Sequence, residues 1–141
     1  MILVDTNVLV AAARTADTNH QAAAELLQAV REPLLVPPTV VAETCYLLSE
    51  WGSPAVEAQF LRSFEAGDLE LAELSVSDVG RMADLVERYA DLGLGGTDAS
   101  IVAIAERLGL TTVATFDHRH FRVVRPSHVP HLTLLPADLP S

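Results

Sequence analysis

Short runs of consecutive apolar residues alternate along the chain with longer segments in which apolar residues recur every three or four positions. The runs predict buried β-strands at residues 2–5, 34–37, 69–74, 111–115 and 132–135. The longer segments predict helices at residues 8–13, 21–31, 37–51, 55–66, 77–89 and 98–108. This alternation is typical of a three-layer α/β/α sandwich with a central, mainly parallel sheet of four to five strands. We predict a single domain of this class over residues 1–141.

The composition predicts a folded protein with neither a membrane span nor an internal disulfide. Half of the 141 residues are hydrophobic, which excludes a disordered protein. No apolar run reaches the ~18 residues that a membrane span requires, and the N-terminus lacks the basic segment of a signal peptide. We therefore expect a cytoplasmic protein without membrane contact. Cys45 is the only cysteine, which excludes an internal disulfide and disfavours a thiolate metal site.

The charge is strongly negative and unevenly distributed. The formal net charge is −10, and the sequence contains no Lys. Residues 1–117 carry six Arg and 18 acidic residues, a formal charge of −12, whereas residues 118–141 carry three Arg and one acidic residue, a charge of +2. Such a charge repels a polyanion over most of the surface, so a nucleic acid would have to bind at a locally favourable place.

Two features could provide a contact surface. The basic segment HRHFRVVR at residues 118–125 is either a solvated loop with Phe121 turned inward or a phosphate contact beside the preceding acid. Trp51, Phe60 and Phe64 lie at helical spacing or on adjacent helices. We assign these three aromatic side chains to the core or to a protein interface rather than to a base-stacking surface.

Four acidic residues lie at positions that point to one site. Asp5 ends the first predicted strand, and Asp117 lies two residues beyond the strand at 111–115. Because the carboxyl ends of parallel strands meet at one edge of a sheet, these two carboxylates should share the edge where ligands bind. Glu43 and Asp98 each lie near the start of a helix and have apolar neighbours three and four positions away. We therefore predict a four-carboxylate site.

Carboxylates that converge in this way need a cation. Two unit charges ~4 Å apart repel by about 4 kcal/mol at an effective dielectric constant near 20. The chain has no Lys to compensate them, and few Arg lie near these motifs. A cluster of carboxylate oxygens is the ligand set that Mg²⁺ or Mn²⁺ prefers. An oxygen-rich site needs neither His118 nor His120, so we do not predict either as a metal ligand.

Each acid also has an ordinary explanation. Asp5 can cap the helix that follows, and Asp98 lies in a first helical turn, where acids are favoured. Asp117 can belong to a turn, and Glu43 can tilt towards solvent at the edge of its apolar stripe. The functional interpretation depends on the coincidence of all four acids at one edge of the predicted sheet.

Four segments together resemble a PIN-domain ribonuclease, and more narrowly the VapC-type toxins of bacterial toxin–antitoxin modules. They are VDTNVLV at residues 4–10, PPTVVAET at 37–44, GGTDASIVAIAERLG at 95–109 and TVATFDHRHF at 112–121. The resemblance covers almost the whole chain. It implies a parallel sheet between helices, an acidic site for Mg²⁺ or Mn²⁺, and cleavage of single-stranded or looped RNA.

The same resemblance implies roles for individual residues. The four acids would be the catalytic residues, and two of them, Asp5 and Asp98, would be the main metal ligands. Asn7 and Thr115 would support the ligands by hydrogen bonding. The resemblance also implies an antitoxin partner, with a basic segment that enters the acidic pocket. We expect that partner to dock near residues 51–64, with a homodimer contact nearby.

The predicted reaction is metal-dependent hydrolysis of RNA phosphodiester bonds, with Glu43 or Asp117 orienting or deprotonating the attacking water. Two other functions stay open. The first is a catalytically silent PIN-fold module that binds protein or RNA and has no reason to bind a divalent metal. The second is a small-molecule phosphatase, which is disfavoured because Asn7 stands where an Asp-x-Asp pair would have its second acid.

Overall fold

A computed structural model describes residues 1–140, and the last residue of the predicted domain, Ser141, lies outside the described part. The described chain contains one sheet of five strands, all parallel, in the spatial order β3-β2-β1-β4-β5. The strands are β1 (Ile2–Val4), β2 (Leu34–Val36), β3 (Glu70–Leu71), β4 (Thr112–Ala114) and β5 (Thr133–Leu135). The predicted parallel sheet between helices is confirmed. The third strand is shorter than predicted because only two residues pair with β2, and both are exposed.

Seven α-helices within residues 1–140 flank the sheet. They are α1 (Thr6–Ala13), α2 (His20–Ala29), α3 (Pro38–Trp51), α4 (Pro54–Glu65), α5 (Val76–Arg88), α6 (Gly96–Leu108) and α7 (His118–Val123). The sequence pattern predicted the first six. The seventh corrects the loop interpretation of residues 118–125, because Asp117 caps a helix there and accepts a hydrogen bond from the backbone N–H of His120. None of the described helices is both long and apolar enough to cross a membrane.

The order of the strands determines where a ligand can bind. From β1 the chain continues to β2, towards one edge of the sheet, whereas from β4 it continues to β5, towards the opposite edge. β1 and β4 are neighbours, with Leu3 opposite Val113 and Val4 opposite Ala114. The connections that follow β1 and β4 therefore diverge and leave a crevice beyond their carboxyl ends, the usual ligand position in an open parallel sheet. Asp5 directly follows β1, and Asp117 lies three residues beyond the end of β4.

Buried residues of β1, α6 and α7 fix the elements at this edge of the sheet. All three residues of β1 are buried, and α6 buries seven consecutive residues, 99–105, beneath its first turn. Phe121 of α7 is fully buried, as the sequence analysis expected of an inward-turned ring. At roughly 25 cal/mol per Å² of buried apolar surface, such burial is the main stabilising contribution to the positions of β1, α6 and α7.

The packing of α5 against α6 is fixed by an ion pair at the start of α5. Asp78 forms a reciprocal capping box with Ser75 and accepts hydrogen bonds of 2.9 and 3.1 Å from Nε of Arg107, which is on α6. Burial alone would raise the pKa of Asp78, but its hydrogen bonds with Ser75 and Arg107 outweigh that effect and lower the pKa. A second pair, Arg81 with Glu106, joins the same two helices at 2.8 Å.

We expect Asp78→Ala to lower the free energy of unfolding by about 2–3 kcal/mol. The substitution removes the Asp78 half of the capping box and leaves the Arg107 guanidinium without its carboxylate partner. The Asp78 side chain is only 3% exposed, so both contacts are lost from a buried position. Denaturant titration of the variant and of Asp84→Ala, an exposed acid on the same helix, would measure the difference. An equal effect of the two substitutions would contradict the assignment of Asp78 as the anchor.

Candidate active site

Asp5 ends β1 and is held from three directions. Its backbone N–H donates to the carbonyl oxygen of Ala114 at 2.9 Å, which ties it to β4. Its Oδ1 accepts the backbone N–H of Thr6 at 2.8 Å, so Asp5 is also the cap of α1. Its Oδ2 accepts the hydroxyl of Thr115 at 2.8 Å. Cap and site residue are therefore the same side chain, and the two interpretations of Asp5 do not exclude each other.

Asn7 and Thr115 join the ends of β1 and β4 around this carboxylate. The Asn7 amide nitrogen lies 3.4 Å from both Asp5 Oδ2 and Thr115 Oγ1, and its oxygen accepts the backbone N–H of Phe116 at 3.1 Å. Thr115 Oγ1 also accepts the backbone N–H of Asp117 at 2.9 Å. The hydrogen bonds that the family resemblance implied for Asn7 and Thr115 are present, and they fix the position of Asp117 relative to Asp5.

The electrostatic state of the pocket is set by burial and by mutual repulsion. Burial raises the pKa of Asp5, the hydrogen bonds from Thr115 and Thr6 oppose this rise, and the charges of Asp117 and Glu43 add to it. Together they bring the pKa to about 6. Burial also raises the pKa of Asp98 to about 7, and there the charges of Asp5, Asp117 and Glu43 act in the same direction. A pocket that holds carboxylates at such a cost is suited to a bound cation.

The four predicted acids line one cavity of about 480 Å³ at the carboxyl edge of the sheet. Asp98 enters it from the first turn of α6, and Asp117 enters it from the cap of α7. Glu43 enters it from α3, but its side chain is exposed rather than buried in an apolar stripe. The sequence analysis left open whether Glu43 lies within its apolar stripe or tilts towards solvent at its edge. The second is observed, because the face of α3 that carries Glu43 borders the open crevice instead of the sheet.

His120 is a member of the site that the sequence analysis set aside. Its Nδ1 lies 2.6 Å from Oδ2 of Asp117 and 3.9 Å from Oδ2 of Asp98. One ligand atom from each of these three residues lies within 4.8 Å of the others, a spacing that could hold a metal ion. The sequence offered one signal for this contact, the separation of three residues between Asp117 and His120. Residues three apart lie on the same face of a helix, so the contact could have been predicted if α7 had been recognised.

The basic segment offers less free charge than its sequence suggests. Arg122 forms a two-point ion pair with Asp138, at 2.6 and 2.9 Å. The guanidinium of Arg125 reaches the carbonyl oxygen of Pro130 at 3.5 Å, and its backbone N–H donates to the Tyr89 hydroxyl. These contacts engage two of the three Arg of the segment, whereas His118 and Arg119 are exposed.

The aromatic residues of α3 and α4 divide between core and surface. Phe60 is buried, at 8% exposure, and its ring meets that of Phe64 edge to face at 5.5 Å between centroids. Trp51 is different: it is 53% exposed and lines the same cavity as the four acids. The core alternative is confirmed for Phe60. For Trp51 the core alternative is wrong, and the protein interface stays a prediction.

The donor set fits a hard divalent cation. Its ligand atoms would be the carboxylate oxygens of Asp5 and Asp98, with those of Asp117 and Glu43 beside them. The hydroxyl of Thr6, which lies on the same cavity wall and is 3% exposed, has no hydrogen-bond partner within residues 1–140. A buried hydroxyl of this kind normally finds a partner, and a coordinated water would supply one.

Comparison with known proteins identifies the class of protein that this fold and this pocket define. Residues 2–126 match the PIN domain family. The chain is 33% identical over 135 residues to Ribonuclease VapC26 of Mycobacterium tuberculosis. The matched region covers 96% of this chain and 100% of that protein. The chain therefore belongs to the PIN domain family and is a VapC-type member of it, as the sequence resemblance indicated.

Solved structures agree on the fold. VapC20 of Mycobacterium tuberculosis, described as a sarcin–ricin loop cleaving toxin, superimposes with a TM-score of 0.79 at 17% identity, over 84% of this chain and 91% of that chain. VapBC2 from Rickettsia felis, solved bound to a promoter DNA fragment, gives a TM-score of 0.65 at 23% identity, over 95% and 97%. A toxin–antitoxin complex from Klebsiella pneumoniae gives 0.68 at 18% identity, over 94% and 99%.

Proposed function

We propose that this protein is a divalent-metal-dependent endoribonuclease that acts as the toxin of a toxin–antitoxin pair. The observation that carries the proposal is the convergence of Asp5, Glu43, Asp98 and Asp117 on one cavity beyond the ends of β1 and β4. The ribonuclease name of the VapC26 relative supports the reaction class. We propose Mg²⁺ or Mn²⁺ as the ion because the four acids offer only oxygen ligands, which these hard cations prefer.

Within this proposal, each side chain of the pocket has a distinct task. Asp5 and Asp98 would hold the cation, which would supply charge neutralisation at the phosphodiester and would lower the pKa of a nearby water. Asn7 and Thr115 keep the Asp5 carboxylate in one orientation through the hydrogen bonds described above. Glu43, which is exposed at the mouth of the cavity, or Asp117 orients the attacking water and accepts its proton.

The proposed partners follow from charge and from a second cavity. The net charge of −10 and the acidic pocket suit an antitoxin with a basic segment, and the similar Rickettsia and Klebsiella structures are VapBC or toxin–antitoxin assemblies. A groove of about 740 Å³ lies between α4 and the pair α1 and α2, with Leu9, Leu27 and Phe60 among its lining residues. We propose it as the antitoxin dock, which agrees with the expected docking region around residues 51–64. A homodimer and a cytoplasmic location complete the proposal.

The direct test is incubation of the purified protein with a mixed pool of structured cellular RNA, in Mg²⁺, in Mn²⁺ and in EDTA. We expect discrete cuts in the presence of metal and none in EDTA, and the fragment ends would identify the substrate. Absence of cleavage, together with absence of divalent-metal binding by calorimetry, would overturn the proposal and favour the silent binding module.

We expect Glu43→Gln to reduce RNA cleavage by about 100-fold and to leave the fold intact. The charge of Glu43 raises the pKa of both Asp5 and Asp98, so its removal relieves repulsion in the metal-free protein. Cleavage assays and thermal unfolding would be compared with Glu50→Gln, an exposed acid two turns further along α3. Unfolding of Glu43→Gln would show that Glu43 is structural.

A further inference from the structure

Trp51 is the only tryptophan of the chain, and it lies in an unusual place for a residue that is normally well buried. It is the last residue of α3, is 53% exposed, and lines the acidic cavity together with Glu43 and Leu47 from the same helix. Tyr46 of α3 is also exposed, at 63%, but does not line that cavity. An exposed indole at the wall of a catalytic cavity provides a flat apolar surface next to the carboxylates.

Arg14 adds a positive charge to this surface. Its guanidinium carbon lies over the Trp51 ring, 5.1 Å from the ring centroid, in a cation–π contact. Within residues 1–140, the Arg14 side chain makes no hydrogen bond and no ion pair, although the chain carries 19 acidic residues. Arg81, Arg107 and Arg122 are paired with carboxylates, whereas in the described part of the chain Arg31, Arg62, Arg88 and Arg119 are, like Arg14, without such a pair. Arg14 differs from these four because it lies over the indole at the cavity wall. The Arg14 guanidinium therefore keeps its hydrogen-bonding capacity for an external acceptor.

We propose that Trp51 and Arg14 form a nucleotide-binding edge of the active-site cavity, at which the indole stacks on an unpaired nucleobase and Arg14 contacts a neighbouring phosphate. This proposal rests on the proposed endoribonuclease function and adds to it two residues that would hold the RNA. Aromatic stacking selects unpaired bases of any identity, because every base has a π-face and only an unstacked base can reach the indole. Arg combines charge with a planar donor array that matches phosphate oxygens.

The rest of the surface favours the same substrate class. The net charge of −10 resists the close approach of a long duplex, which is a rigid polyanion. A single base held by the indole, with its phosphate at Arg14, needs few further contacts. This edge would account at the level of residues for the single-stranded or looped RNA that the family resemblance implies, because the bases of a duplex stay stacked and cannot reach the indole.

The single tryptophan makes the test direct, because its fluorescence reports on this position alone. Asp98→Asn protein with Mg²⁺ would be titrated with a short, mixed-sequence, single-stranded RNA and with the same RNA annealed to its complement. We expect the single strand to quench the Trp51 fluorescence and the duplex to leave it unchanged. A single strand in which abasic sites replace the bases should also fail to quench, because it has nothing to stack.

Two substitutions extend the test to affinity, measured by the anisotropy of labelled RNA. Trp51→Leu should weaken binding of the single strand by about 5- to 100-fold, with Trp51→Phe intermediate. Arg14→Gln should weaken binding and reduce the slope of log K against log salt by about 0.7. Tyr46→Leu and Arg88→Gln are the matched controls, since Arg88 makes a cation–π contact with Tyr89 outside the cavity. Circular dichroism would verify the fold of each variant.

The possible results separate this inference from the function on which it rests. If RNA binds without a change in Trp51 fluorescence and Trp51→Leu binds it equally well, the nucleotide-binding edge is wrong while the nuclease function stands. If Trp51→Leu loses self-association in sedimentation but binds RNA normally, the indole belongs to an interface between copies, and the inference is overturned. If the unmodified protein neither binds nor cuts RNA with Mg²⁺ or Mn²⁺, the proposed function itself fails.

Discussion

Replacing Asp98 by Asn is expected to reduce RNA cleavage by at least about 1,000-fold, because loss of a metal ligand removes several kcal/mol of transition-state stabilisation. Asp98 enters the shared cavity from the first turn of α6, and its side chain is 21% exposed. Asn is nearly isosteric and keeps one oxygen, so the fold should not change. Initial cleavage rates at saturating Mg²⁺, with the protein in excess over RNA, would measure the effect.

The matched control is Asp91→Asn, which removes the same charge from an exposed position outside the cavity. We expect that variant to cleave at close to the normal rate. A rate for Asp98→Asn within about tenfold of the unmodified protein would contradict the assignment of Asp98 as a principal metal ligand. Equal losses in the two variants would instead point to a general electrostatic effect on RNA binding.

The second large effect is expected in the stability of the metal-free protein. Between about pH 4 and pH 7, the free energy of unfolding should fall by about 3 kcal/mol through Asp5 and Asp98. The pKa of Asp5 rises from 3.8 to about 6 on folding, and that of Asp98 rises from 3.8 to about 7. In this interval the folded state binds more protons than the unfolded state, so raising the pH destabilises the fold. The partial solvent access of Asp98 and the repulsion that the two carboxylates share keep this change below the sum of two independent pKa shifts.

Asp98→Asn isolates this contribution from those of the other titrating groups. Denaturant titrations in EDTA should show the variant more stable than the unmodified protein by about 2 kcal/mol at pH 8 and nearly equal to it at pH 4. Saturating Mg²⁺ should stabilise the unmodified protein at pH 8, because the cation binds only the folded site. Parallel stability curves for the two proteins in EDTA would show that the Asp98 carboxylate is not under electrostatic strain.

The sequence by itself determined the class of fold. Buried strands such as β1 and β2 are continuous apolar runs, and the helices carry their own caps and stop signals, so local residues specify these elements. The same local signals marked Asp5 and Asp117 as strand-end acids, because parallel strands bring their carboxyl ends to a common edge whatever their order. That rule predicted a common edge for Asp5 and Asp117, whereas Glu43 and Asp98 were assigned to the site because each lies near the start of a helix beside apolar residues.

Some features depended on contacts that no local pattern encodes. Sequence did not reveal that β1 and β4 are neighbours, which places Asp5 within reach of Thr115. The sequence pattern also failed to predict α7, because a helix of six residues has fewer than two turns and so shows too little of the helical repeat to be recognised. With α7 taken as a loop, the approach of His120 to Asp117 could not be predicted.

Tertiary packing also decided which faces of α3 meet solvent. The sequence shows Glu43 and Trp51 beside apolar residues, and an apolar neighbourhood normally indicates burial. In the folded protein, α3 borders the crevice where the connections after β1 and β4 diverge, so both side chains line an open cavity. The sequence thus determined the elements and the chemistry of the acids, since both are properties of local residues. Only the tertiary structure decided which side chains share the cavity with them, since that depends on strand order and helix packing between distant segments.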